Sequence, residues 1–188
     1  MSGNQQKLAV LFADISGSSE LYERFGDERA LKSIAQCVGI MTGALPAWQG
    51  ILVKVIGDEI MCTFPSAEQA FHAACAMQRS VENGRYEDGS PMHIRIGFHF
   101  GEVIHESGDV FGDTVNIAAR VAAKTRANQI IVTQAVVDVL PSALRDKTRK
   151  LMRAEFKGKP AQFDIFVVVW SSDEKMNLRI GTSAQRKP

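Results

Sequence analysis

The spacing of apolar side chains in the first part of the chain predicts a strand, two helices and a hairpin, in that order. Residues 8–15 are an apolar run that ends at small polar residues, which is typical of a buried strand. Over residues 17–47 apolar side chains recur every three or four positions, which indicates helix, with a break at Gly26. Residues 51–64 are two apolar segments around a Gly-Asp turn, and this pattern predicts a β-hairpin.

In the second part of the chain, too, the spacing of apolar residues predicts helices and strands in turn. Amphipathic spacing after Ser66, a residue type favoured as an N-cap, predicts a helix over residues 67–81. Alternation of apolar and polar residues predicts a long strand over residues 92–105. The remaining predicted elements are a helix from about Asp113 to Lys124, a strand at 129–133, a short helix at 134–140, and strands near 149–157 and 162–169. This order predicts an α+β fold, a ferredoxin-like βααββαβ sandwich with additions whose helices pack on one face of the sheet.

Length and charge limit the kinds of partner. The 188 residues suit one domain, which we place at residues 1–170, followed by a polar tail or linker at 171–188 that we expect to be disordered or to lead to something outside this chain. A net charge of +1 without basic clusters gives no support for a nucleic-acid partner, and no apolar run approaches the ~20 residues of a membrane helix.

The N-terminus lacks the apolar stretch of a signal peptide, and the three cysteines lack metal-ligand spacing. We therefore predict buried thiols and a cytoplasmic location.

Two aspartates lie where predicted strands give way to turns. Asp14 ends the first strand, directly before the small polar residues 16–19, and Asp58 lies in the turn of the hairpin. Taken singly, Asp14 would more often be an N-cap and Asp58 a turn aspartate. Two acids at the tips of neighbouring strands, beside a small-residue loop, can bind divalent metal and nucleotide phosphates together. This arrangement suggests phosphoryl-transfer chemistry.

Five sequence strings extend this suggestion to a family. They cover Phe12 to Ser18, Lys54 to Glu59, Arg95 to Glu102, Asp109 to Arg120, and Phe156 to Lys159. In this order they resemble the class III nucleotidyl cyclase catalytic domain, the family of adenylate and guanylate cyclases, over about residues 7–170. One string alone would be a weak signal, whereas five in register are specific.

The resemblance implies a metal-dependent reaction. In this family two Mg²⁺ or Mn²⁺ ions assist attack of the ATP ribose 3′-hydroxyl on the α-phosphorus, and pyrophosphate leaves. By resemblance Asp14 and Asp58 are the metal ligands, and the carbonyl of Ile15 adds another. The loop at residues 16–19 offers backbone N–H groups to the phosphates.

The same resemblance implies the substrate contacts. Asn116 and Arg120 lie four residues apart and share a helix face; Asn116 would orient the ribose, and Arg120 would stabilise the charge that develops at the α-phosphate. Lys157 matches the family's triphosphate-binding lysine. Lys54 and Asp109 match the adenine-reading positions, because a lysine suits the N1 acceptor of adenine and an aspartate suits its N6 donor. Guanylate cyclases typically carry an acid where Lys54 stands, so we predict ATP over GTP.

The family's active site also draws on two chains. Metal-binding aspartates and substrate-binding residues come from different chains, so a single chain with both sets implies a homodimer with two equivalent composite sites. A monomer should be inactive. We also expect a regulatory domain or protein outside this chain, because no sensor domain fits in 188 residues.

Three alternatives stay open on sequence grounds. A guanylate cyclase would differ in base preference. A non-catalytic cyclase-homology module would dimerise and bind nucleotide without making product. In a ferredoxin-like small-molecule-binding domain with accidental motif matches, loss of Asp14 and loss of Arg120 would have no effect in common.

Overall fold

A computed structural model gives the structure of the chain and describes residues 4–87, 89–155 and 162–172. The strands are β1 (Asn4–Ile15), β2 (Ile51–Ile56), β3 (Glu59–Phe64), β4 (Ile94–Glu106), β5 (Asp109–Phe111), β6 (Ile130–Thr133), β7 (Thr148–Glu155) and β8 (Gln162–Val168). The helices are α1 (Ser18–Phe25), α2 (Asp27–Gly43), α3 (Ala67–Glu82), α4 (Asp113–Lys124), α5 (Gln134–Val139) and α6 (Ser142–Arg145), with a 3₁₀ turn at Pro46–Trp48. The strands form one sheet in the order β2-β3-β1-β4-β6-β8-β7, and β5 pairs with β4.

The sheet has an apolar core on each face. Successive side chains of β1 point to opposite faces. Leu11 belongs to the larger core, which contains side chains of α2, α3 and α5. Phe12 belongs to a second core with Ala118 and Ala122 of α4. The prediction that the helices pack on one face is therefore wrong for α4, because a helical period marks an apolar stripe but does not specify which sheet face that stripe covers.

The approach of α4 to the sheet depends on a glycine of β4. A Cβ atom at Gly97 would lie 2.3 Å from the backbone nitrogen of Ala122. Real Cβ atoms do not come so close to backbone atoms, so a side chain here would push α4 outward. Gly97 thus sets the distance at which α4 lies over the sheet.

The predicted α+β fold is confirmed. The first four long strands lie in the antiparallel order β2-β3-β1-β4, which is the ferredoxin-like arrangement. The predicted helix break is confirmed as well, since Gly26 separates α1 from α2 with a φ of 76°. The three cysteines are free and buried. None of the described helices has the length and apolarity needed to cross a membrane.

Other boundaries differ from the predictions. β1 begins at Asn4 rather than near Leu8, because polar residues at its start pair with β4 through their backbone. β5 and α6 were not predicted, since three and four residues are too few to show a period. The predicted end of the first late strand, at residues 156–157, and the tail beyond residue 172 lie outside the described residues.

Candidate active site

Asp14 lies between charged residues of two neighbouring strands. In the sheet register it is opposite Glu59 of β3 on one side and opposite Arg95 of β4 on the other. Directly opposite residues of antiparallel strands project from the same face, so the three side chains lie together. Asp14 lies two residues after Phe12, so the two side chains point to the same face of the sheet. Asp14, Glu59 and Arg95 therefore lie on the face that α4 covers.

Arg95 forms an ion pair with Asp14. The Arg95 Nε donates to Asp14 Oδ2 at 2.6 Å, and Nη2 contacts the same oxygen. The Asp14 side chain is 10% exposed, whereas that of Arg95 is 39% exposed. Burial raises the pKa of Asp14, and the nearby charge of Asp58 adds to the rise, while the hydrogen bond from Arg95 opposes it. Asp14 is therefore a buried carboxylate whose compensating charge comes from a half-exposed arginine.

Asp58 and Glu59 add further negative charge beside Asp14. Asp58 follows Gly57, which has a φ of 64° in the tight turn between β2 and β3. Burial raises the pKa of Glu59, and the charges of Asp14 and Asp58 add to that rise. The turn thus brings three carboxylates into electrostatic contact at one end of the sheet.

The donor chemistry of these carboxylates fits a divalent cation. Mg²⁺ and Mn²⁺ prefer hard oxygen ligands, and partly buried acids that repel each other are stabilised by a cation between them. Within the described ranges no three His, Cys, Asp or Glu residues are already arranged around one metal position. In this structure the positive charge at Asp14 is the guanidinium of Arg95.

The loop after Asp14 differs in part from its predicted role. Ile15 is 3% exposed, and its backbone N–H bonds to the Asp14 carboxylate. The backbone N–H of Ser16 donates to the His93 carbonyl at 2.8 Å and is therefore used within the fold. Ser16 Oγ is buried and has no hydrogen-bond partner among the described residues. Any backbone donors for phosphate would come from Gly17 onward, where α1 begins without a side-chain N-cap.

Lys54 and Asp109 meet at a second position. The Lys54 Nζ lies 2.5 Å from Asp109 Oδ2, and the Val110 N–H donates to Oδ1 at 2.8 Å. The hydrogen bond from Lys54 lowers the pKa of Asp109, and the Val110 N–H contributes to the same shift. The structure therefore brings together the two residues predicted to read the base.

Asn116 and Arg120 lie on α4, one turn apart. Asn116 is exposed, and Arg120 is partly buried. Arg120 Nη1 is buried without a hydrogen-bond partner in the described part of the chain. An unused buried guanidinium donor is costly and calls for an acceptor. Arg120 therefore keeps a buried donor for which the described residues supply no acceptor.

The predicted site residues form separate groups rather than one cluster. Asp14 interacts with Asp58 and Arg95, whereas Asp109 interacts with Lys54. Lys157 lies outside the described residues.

Sequence reasoning missed two members of the first group, Glu59 and Arg95. Both lie inside family strings, but neither was given a role. Strand parity could have placed each of them on a face of the sheet. Only the pairing register, which is a long-range property, shows that both flank Asp14.

An exposed apolar surface lies near the second group. β2 is at the edge of the sheet and exposes Ile51, Val55 and Ile56, and Phe111 of β5 is 47% exposed. β5 also contacts β2. Large apolar side chains grouped at a sheet edge are typical of an interaction surface.

Comparison with known proteins gives the family. The sequence profile of the adenylate and guanylate cyclase catalytic domain matches residues 1–172. An adenylate cyclase of Streptomyces coelicolor is 31% identical over 135 residues, which are 72% of this chain and 34% of that protein. A putative adenylate cyclase 3 of Rhizobium meliloti is 30% identical over 132 residues, 68% of this chain and 22% of that protein. The chain thus spans about a third or less of these relatives.

Solved structures agree on the fold. The catalytic core of a rhodopsin-guanylyl cyclase with converted specificity, in complex with ATPαS, superposes with a TM-score of 0.81 at 21% identity, covering 89% of this chain and 98% of that one. The adenylate/guanylate cyclase/hydrolase of Silicibacter pomeroyi has a TM-score of 0.77 at 26% identity, covering 89% and 99%. Sequence profile, relatives and fold agree, and the chain belongs to the class III adenylate and guanylate cyclase catalytic-domain family.

Proposed function

We propose that this chain is an adenylate cyclase domain that converts ATP to 3′,5′-cyclic AMP and pyrophosphate at composite sites of a homodimer. The observation that carries the choice of ATP is the 2.5 Å contact between Lys54 Nζ and Asp109 Oδ2. This contact puts a cationic donor next to an anionic acceptor, a pair that complements the N1 acceptor and the N6 donor of adenine. Relatives named adenylate cyclase support the same choice.

The reaction is an intramolecular displacement at the α-phosphorus. The 3′-hydroxyl loses its proton to solvent, the bond from O3′ to the α-phosphorus forms, and the bond from the α-phosphorus to the bridging oxygen of the β-phosphate breaks. Pyrophosphate leaves with the electron pair of that bond. When bound, two Mg²⁺ or Mn²⁺ ions supply Lewis acidity to the hydroxyl and to the leaving group. Asp14 and Asp58 would hold these ions, with the Ile15 carbonyl as a further ligand.

The remaining residues would position the substrate and stabilise charge. Arg120 would donate to the oxygens that gain charge at the α-phosphate, which agrees with its buried and unpartnered Nη1 among the described residues. Asn116, one helical turn earlier, would orient the ribose. Lys157 would bind the triphosphate, on the resemblance alone.

The division of the site into two groups supports a homodimer. The residues proposed for metal and those proposed for base have separate partners within one chain. The exposed apolar residues of β2 and β5 offer a surface for a second copy. Regulation by a domain or protein outside this chain remains a proposal, and the cytoplasmic location stays a prediction.

Product analysis tests the proposal. The purified chain is incubated with ATP or GTP and Mn²⁺, and cyclic products are separated by chromatography, with Asp14→Ala as the inactive control. Cyclic AMP from ATP supports the proposal. Cyclic GMP as the main product would identify a guanylate cyclase, and no product from a demonstrated dimer would favour the non-catalytic nucleotide-binding module.

A further inference from the structure

Arg95 occupies the position where a cation is needed at Asp14. Its Nε and Nη2 both contact Asp14 Oδ2, the Nε at 2.6 Å, and this oxygen belongs to a side chain that is only 10% exposed. The guanidinium and a metal ion would compete for this oxygen, because a metal ion bound to it would lie within a few ångströms of the positive charge of Arg95.

The arginine is held by the fold and also has room to leave. Arg95 and Asp14 are directly opposite in the β1–β4 register, so their Cα atoms stay paired whichever way the side chain points. The Arg95 side chain is 39% exposed and can therefore swing into solvent. A guanidinium does not deprotonate at accessible pH, so its competition is a matter of position and not of charge state.

We infer that Arg95 competes with the metal ion for Asp14 Oδ2 and must withdraw from this oxygen before a divalent cation can bind to it. The inference rests on the proposed role of Asp14 as a metal ligand, but not on turnover. Metal binding without nucleotide is then weaker than the donor set alone would give. Removing the guanidinium opens the site.

Mn²⁺ binding without nucleotide tests this directly. The free-ion signal is titrated by electron paramagnetic resonance at pH 8. Loss of a hydrogen bond to a charged group changes an affinity by roughly tenfold or more. Arg95→Gln is therefore expected to bind Mn²⁺ about tenfold more tightly than the wild type. Arg153→Gln is the matched control, because it removes a different arginine, one that donates to Asp164 at 3.2 Å on the β7–β8 hairpin.

A double variant assigns any gain to the site. In Asp14→Asn/Arg95→Gln the tighter binding should disappear. Unchanged or weaker Mn²⁺ binding in Arg95→Gln overturns the inference, and so does a gain that survives the loss of the Asp14 carboxylate. The outcome can be separated from that of the proposed function. If the wild type makes cyclic AMP but Arg95→Gln binds Mn²⁺ no more tightly, only the inference about Arg95 fails. If Arg95→Gln binds Mn²⁺ more tightly but the wild type makes no cyclic product, only the proposed cyclase activity fails.

A measurement on the unaltered chain tests the same inference without relying on the folding of a variant. The Nε–H resonance of Arg95 in nitrogen-15 NMR is expected to lose its hydrogen-bonded shift and its protection from exchange as Mg²⁺ is added. A resonance that stays unchanged at saturating Mg²⁺ contradicts the inference.

Discussion

Lys54 of β2 and Asp109 of β5 form an ion pair in which Nζ lies 2.5 Å from Oδ2, although 55 residues separate them in the sequence. Their side chains are 41% and 31% exposed. Ion pairs this exposed add little to stability, because water screens their attraction and ordering the side chains costs entropy. The pair therefore contributes little to the fold, which agrees with the proposal that it reads the base.

Replacing Lys54 should impair use of ATP. Lys54→Gln removes the cationic donor proposed for adenine N1, and kcat/KM for ATP is expected to fall about a hundredfold, which corresponds to ~3 kcal/mol. Lys150→Gln is the matched control, because Lys150 forms a similar exposed pair with Asp164 at 2.6 Å on the β7–β8 hairpin. Steady-state assays that show equal kcat/KM for the wild type and Lys54→Gln would remove the proposed base contact.

Gly97 should be intolerant of even a methyl group. In Gly97→Ala the new Cβ meets the Ala122 backbone at 2.3 Å, and the backbone of α4 can yield only by moving away. Overpacking of this kind costs about 1–3 kcal/mol in unfolding free energy, and displacement of Asn116 and Arg120 should lower kcat. Urea unfolding and product assays measure the two effects.

Gly39 of α2 supplies the control for that substitution, because a Cβ there meets nothing within 4 Å. Gly39→Ala is expected to stabilise the chain by up to about 1 kcal/mol, since alanine is the better helix former. Equal stability changes in the two variants would mean that the spacing of α4 over β4 does not depend on Gly97.

The exposed edge of the sheet should be needed for dimerisation. Val55 on β2 is 46% exposed, and Val55→Lys would place a charge in the proposed interface. Sedimentation velocity is expected to show a shift toward monomer, with a parallel loss of activity at low protein concentration. Val139→Lys is the control, because Val139 is 51% exposed on α5, outside the proposed interface. It should change neither the dimer affinity nor the activity. Dimers of undiminished affinity in Val55→Lys would place the interface elsewhere.

His99 should make the fold sensitive to acid. It is buried on β4 with Nδ1 2.7 Å from Thr133 Oγ1, and burial lowers its pKa to about 4 against an opposing effect from Asp113. The unfolded chain, with an imidazole pKa of about 6.5, binds the proton more readily between these values. The free energy of unfolding should therefore fall as pH drops from about 6.5 to about 4, by on the order of 3 kcal/mol from this group.

Urea unfolding at pH 7.5 and pH 4.5 checks the assignment to His99. His99→Gln should lose that part of the pH dependence, while His72→Gln, which alters a half-exposed histidine on α3, should keep it. Identical pH dependence in the wild type and His99→Gln would show that His99 does not carry the effect.

Much of the fold could be predicted because its signals are local. The apolar run that ends at Asp14, the Gly-Asp turn before Glu59 and the helix break at Gly26 are each set by a few neighbouring residues. The order of elements predicted the ferredoxin-like fold, with which the order β2-β3-β1-β4 of the first four long strands agrees. The positions of Asp14 and Asp58 at strand tips were predictable for the same reason.

What could not be predicted depends on register and on the choice of sheet face. The pairing of Arg95 with Asp14 joins residues 81 positions apart, and no local pattern specifies it. α4 packs on the second face because its small side chains, Ala118 and Ala122, contact apolar residues of β1 that point to that face. Burial of Arg120 Nη1 likewise depends on that packing.

Mixing of two inactive variants tests the central claim of a cyclase with two-chain sites most directly. Asp58→Ala and Arg120→Ala homodimers should each be nearly inactive, because each lesion occurs in both sites. In a freely exchanging equal mixture half of the dimers are mixed, and each of these has one intact site, so about a quarter of the wild-type rate of cyclic AMP synthesis should return. No recovery of cyclic AMP, with exchange demonstrated by differently labelled chains, would contradict the composite site.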